Sequence, residues 1–124
     1  MKLFCEVMAA DILPAVRALL SKELSTSYGL SQSQISAKLG VSQPAVSHYK
    51  KELRGQSVKA LEKNKIVMDE IRSFARKISS SELGADKSYD MFCSLCEKVR
   101  KEKVMMQINK NITPEIIECN LYLK

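Results

Sequence analysis

The stretch SQSQISAKLGVSQPAVSHYKKELR, residues 31 to 54, constrains the fold of this chain more than any other. Counted from Gln32, apolar side chains fall at Ile35, Leu39, Val41, Val46 and Tyr49. That spacing describes two short helices joined by a turn, each with one buried face. Ser36 is small at the point where the two helices cross most closely. Gly40 stands in the turn, where a left-handed backbone is needed and glycine adopts it without steric cost. Ser31 with Gln34 forms a capping box for the first helix, and Ser42 is a good N-cap for the second. Pro44 lies in the first turn of the second helix, where a missing N–H costs nothing. These local requirements coincide in one window and specify a helix-turn-helix whose second helix is shaped to enter DNA.

The flanking sequence is helical throughout. Ile12, Leu13, Val16, Leu19, Leu20 and Leu24 predict an amphipathic helix over residues 10–26, with Pro14 in its first turn and Ser25 to Gly29 as the break. Packed across the back of the motif, this helix completes a three-helix core with Ile35, Leu39, Val46, Tyr49 and Leu53. Arg54-Gly55-Gln56 ends the second helix of the motif. A long helix is expected over residues 57–80, with a stripe of Leu61, Val67, Ile71, Phe74 and Ile78. Either a second copy or the last helices of the same chain would bury that stripe. Ser79 to Lys87 reads as a polar linker containing Gly84, and residues 88–110 as a helix with Met91, Phe92, Leu95, Val99 and Met106 on one side. Thr113-Pro114-Glu115 starts a short terminal helix that runs towards Leu121. No segment has the period of a strand, so the expected class is all-α. Residues 1–56 form the helix-turn-helix domain, and residues 57–124 a helical dimerisation and cysteine-bearing region.

Charge points to the partner. Twenty Lys and Arg against fourteen Asp and Glu leave a formal charge of +6, which favours phosphate backbones. Lys50, Lys51, Arg54 and Lys59 cluster just after the motif, opposed by Glu52 alone. A second run, Lys98, Arg100, Lys101, Lys103 and Lys110, reads first as a solvated helix face and only second as a DNA contact. No stretch approaches the roughly twenty apolar residues of a membrane span. Glu6 and Asp11 break any secretory signal at the N-terminus, so the expected location is cytoplasmic.

Thiols stay reduced in that compartment, which makes the four cysteines candidates for metal ligation or redox sensing rather than disulfides. Cys93 and Cys96 form a Cys-x-x-Cys pair that shares a helix face. Cys119 would approach from the terminal helix and Cys5 from the N-terminus. MFCSLCEK contains neither Gly nor Pro and reads as helix, and the ligands are dispersed along the chain. Both features favour a [4Fe–4S] cluster over a zinc ribbon. Zinc and a metal-free Cys93–Cys96 dithiol are the alternatives, and Cys5 also suits plain burial as a small apolar residue. No βαβ pattern surrounds the Cys-x-x-Cys, which argues against a thioredoxin-like enzyme, and no catalytic constellation is visible.

The runs CEVMAADILPAVRALLSKEL and YGLSQSQISAKLGVSQPAVSHYKKELRG resemble a family of short archaeal helix-turn-helix transcriptional regulators. The same N-terminal module also occurs joined to a thiamine-phosphate synthase domain, which this chain lacks. The likeness covers residues 3–55 and rests on Cys5-Glu6, Leu13-Pro14, Arg17, Leu39-Gly40-Val41 and Gln43-Pro44-Ala45-Val46-Ser47. It implies DNA-binding transcriptional control. In the short members a Cys-x-x-Cys and a further Cys follow, which Cys93, Cys96 and Cys119 match.

On this reading the chain binds double-stranded DNA as a homodimer, and its cluster senses redox state, oxygen or iron. A recognition helix turns its N-terminal residues towards base edges, and its exposed positions here are Ser42, Gln43, Pro44, Ser47, His48 and Lys51. Gln43 suits adenine N6 and N7. Lys50, Lys51 and Arg54 suit phosphates, which position the helix without reading sequence. Ser31 and Gln32 can donate to phosphate from the start of the preceding helix.

Overall fold

The structure, a computed structural model, describes Glu6, residues 8–80 and residues 85–104, and of residues 85–90 the backbone alone. Six α-helices follow one another among these residues. They are α1 (Leu13–Tyr28), α2 (Gln32–Leu39), α3 (Gln43–Glu52), α4 (Gln56–Glu62), α5 (Lys65–Ser79) and α6 (Ala85–Lys101). A five-residue π turn, Met8–Ile12, leads into α1. It sits just upstream of Pro14, whose ring would clash with a carbonyl one turn back in a regular α-helix, and a wider turn relieves that clash. The expected all-α class, with a helix-turn-helix at its N-terminal end, is the one adopted.

Helix α1 is the hub, packing against α2, α3, α4 and α5. Ile12, Val16, Leu20 and Leu24 recur at every fourth position and are fully buried. Each such side chain removed from water is worth roughly 1.5–3 kcal/mol. The helix runs two residues past the expected end at 26. Thr26 Oγ1 donates to the Lys22 carbonyl at 2.8 Å and Ser27 Oγ to Glu23 Oε1 at 2.9 Å, so the hydroxyls bond within the helix instead of breaking it. Gly29, left-handed at φ 66°, ends it.

The single long helix expected over 57–80 is two helices. Asn64 divides them, its Oδ1 accepting the Val67 N–H at 3.0 Å as the N-cap of α5. The stripe itself carries the reason. Leu61 and Val67 are six residues apart, which a straight helix would place about 240° round from each other. A break lets both face inward. Leu61, Val67, Ile71, Phe74 and Ile78 are all buried, against α1 and α6. The stripe is therefore spent inside the chain and offers no face to a second copy.

Helix α6 lies on α5. Phe92 meets Phe74 edge to face, with centroids 4.8 Å apart and planes at 75°. Ser94 Oγ donates to Glu70 Oε1 at 3.2 Å, and Asn64 Nδ2 donates to Glu102 Oε1 at 3.1 Å. Leu95 and Val99 are buried, and Met91 and Phe92 half-buried. The helix ends at Lys101, short of the expected 110. Lys103 takes a left-handed φ of 56°, costing about 1 kcal/mol for a non-glycine residue. The reversal brings Val104 into the core with no exposed surface, which offsets that cost. Met106 and the helix expected from Thr113 lie outside the described residues. Residues on both sides of position 56 share one hydrophobic core. No helix among the described residues is long and apolar enough to cross a membrane.

Candidate nucleic-acid interface

The α2–turn–α3 unit is built from the contacts its sequence announces. Ser31 Oγ accepts the Gln34 N–H at 3.2 Å, and Gln34 Oε1 accepts the Ser31 N–H at 2.9 Å, completing the capping box. Gly40 is left-handed at φ 68°, and its N–H donates to the Ser36 carbonyl. The Val41 N–H reaches the same carbonyl at 3.1 Å. Ser36 does more than stay small, because its hydroxyl donates back to the Val41 carbonyl and ties the turn a third time. Nothing in residue spacing distinguishes that bond from a plain small residue at a helix crossing. Ser42 Oγ accepts the Ala45 N–H at 3.2 Å, and Pro44 lies in the first turn of α3.

This frame separates buried from open residues. Ile35, Val46 and Tyr49 are buried, while Leu39, Val41 and Leu53 pack half-buried against them. Ser31, Gln32, Ser42, Gln43, Pro44, Ser47, His48, Lys50, Lys51 and Arg54 are all exposed. Lys50, Lys51, Arg54 and Lys59 form no ion pair among the described residues, which leaves their charge available to an outside anion. His48 Nε2 lies 3.8 Å from Glu52 Oε1, one turn on, so the histidine sits on the open face beside a carboxylate. Beneath them the Tyr49 hydroxyl is pushed above its ordinary value of 10.0, first by burial. The charge of Arg17 on α1 opposes that shift and the charge of Glu52 adds to it.

Two basic residues are placed in ways the sequence did not foretell. Lys38 donates its Nζ to the Ile78 carbonyl at 3.3 Å, near the end of α5, where helix carbonyls favour a cation. Arg17 on α1 lies near enough to Tyr49 on α3 for its charge to be felt there. The second basic run is not one charged surface. Arg100 is buried, Lys98 half-buried, and Lys101 pairs with Glu97 at 3.2 Å, while Lys110 lies outside the described residues.

Of the four cysteines, the structure places two. Cys93 and Cys96 lie on consecutive turns of α6, where Cβ atoms three apart stand roughly 5–6 Å from each other. Cys93 is exposed, and Cys96 is half-buried against the core. Two thiols so placed have the donor chemistry of a shared soft-metal or iron–sulfur centre. Cys5 and Cys119 lie outside the described residues. Among the described residues no three of His, Cys, Asp and Glu gather as a metal site.

The chain matches no family model, no curated protein and no solved structure.

Proposed function

We propose that this chain is a cytoplasmic, sequence-specific regulator of transcription that binds double-stranded DNA and has no catalytic activity of its own. One observation carries the reading: a capped helix-turn-helix leaves every candidate DNA residue exposed while its apolar residues turn inward. The likeness of residues 3–55 to short archaeal regulators supports the same conclusion. Helix α3 enters the major groove, with Gln43, Ser47 and His48 against base edges and Ser42 and Pro44 at the entering end. Lys50, Lys51 and Arg54 hold phosphates, and Ser31 and Gln32 receive one at the start of α2. Two copies on a two-fold operator belong to this reading, with an interface drawn from a surface other than the α4–α5 stripe. Fluorescence polarisation on the chain's own upstream DNA tests it. Affinity should exceed that for unrelated duplex and fall steeply with salt; equal affinity for both would refute it.

The same proposal assigns Cys93 and Cys96, together with Cys5 and Cys119, to a [4Fe–4S] cluster. When bound, the cluster would supply one-electron redox chemistry and lability to oxygen. Cys93 and Cys96 would hold it from consecutive turns of α6. Iron and acid-labile sulfide measured on protein purified without oxygen decide this. Four of each per chain are expected. One zinc and no colour would make the centre structural, and no metal would leave a thiol switch or an ordinary core.

A further inference from the structure

Between α1 and α3, under the first turn of α2, lies a half-open cavity of about 360 Å³. Its back wall is apolar, formed by Ala18, Leu30, Ile35, Val46 and Leu53. Ser21 and Tyr49, exposed by only 7% and 8%, also line it. Their hydroxyl oxygens are not sealed off in the core and stay open to a partner from the cavity. Lys22 and Lys50 stand at the rim, and no carboxylate lines the cavity. Volume, apolar wall and a few convergent polar groups together have the character of a small-molecule site.

We propose that this cavity binds a small organic anion with an apolar body. The anionic group lies between Lys22 and Lys50, the body rests on the apolar wall, and the two lining hydroxyls bond its polar atoms. Burial keeps the Tyr49 hydroxyl protonated, so it stays a donor well above neutral pH. Ser31, Gln32 and Lys50 line the same cavity. Resting on the DNA-binding reading above, the inference extends to regulation: an occupant there takes up the groups assigned to a DNA phosphate, so ligand and DNA exclude each other.

Phenyl phosphate is a suitable probe, with inorganic phosphate as its comparison, titrated into the full chain without DNA and followed by amide NMR shifts. Saturable shifts are expected at Ser21, Val46 and Tyr49, with phenyl phosphate at least about tenfold tighter than inorganic phosphate. Lys22→Ala, at a residue with no assigned DNA contact, should weaken the probe about tenfold and leave DNA affinity unchanged. Tyr49→Phe keeps the ring and its packing and should weaken the probe several-fold. Absence of saturable shifts would overturn the proposal. Equal affinity for the two anions, with Ser21 and Tyr49 unmoved, would reduce the cavity to a seat for a DNA phosphate. Full probe affinity in both variants would also overturn it. Probe binding in a protein that does not select DNA would defeat the DNA reading and the competition, and would leave the binding site standing.

Discussion

Gly40 takes φ 68° with nothing within 4 Å of where a Cβ would stand. Its requirement is therefore one of backbone alone, not of space. Gly40→Ala should cost about 1 kcal/mol, read as a lower urea midpoint with an unchanged slope. Tyr49 predicts a pH dependence. Burial raises its folded pKa above the ordinary 10.0, so the folded state keeps a proton that the unfolded chain gives up. Its contribution is fully present below pH about 10 and is lost as pH rises through that value towards the folded one. Urea unfolding between pH 8 and 11 should show wild-type stability falling at the alkaline end, and Tyr49→Phe should flatten that fall. These residue-scale features were largely legible in the chain: the capping box, the glycine turn and the proline position each have a local signature. The Ser36 hydroxyl bond and the Lys38–Ile78 contact were not, since both depend on what folds against them.

Between α4 and α5 one side chain does two tasks. Asn64 caps α5 with its Oδ1 and reaches Glu102, beyond the end of α6, with its Nδ2. Asn64→Ala removes both and should cost about 1–2 kcal/mol. Asn64→Asp keeps the cap but brings a carboxylate to Glu102. If the tie to Glu102 matters, Asp should recover only part of the loss in thermal unfolding; full recovery would assign the whole effect to the cap. The break was written in the sequence, in the six-residue step from Leu61 to Val67, but a heptad-like rhythm elsewhere in the stripe concealed it. The early end of α6 had no such mark. Lys103 is a poor residue for a left-handed turn, and the burial of Val104 prevails over that preference.

Across the whole molecule the helix-turn-helix and the cysteine-bearing helix share one core. Phe92, next to Cys93, packs on Phe74 in α5, and the same helix accepts Lys38 of α2 near its end. Phe92→Ala should destabilise by about 3 kcal/mol, the lower end for a large aromatic, because the ring is half-buried. Hydrogen exchange should then rise in α1 and α2 as well as in α6; a rise confined to α6 would show that the two ends unfold separately. What covers the α4–α5 stripe was the least legible feature. A helix stripe looks the same whether a partner or the chain itself covers it, and here the chain covers it.

Selection of bound duplexes from a random pool decides whether α3 reads DNA sequence. Wild type should enrich a defined sequence. Gln43→Ala should lose preference at one base position, at a cost of about 1–3 kcal/mol. Lys50→Ala should select the same sequence more weakly, with a salt slope lower by about one. A pool that stays random with wild type, or a Gln43→Ala preference identical to wild type, would mean that α3 does not read sequence through Gln43.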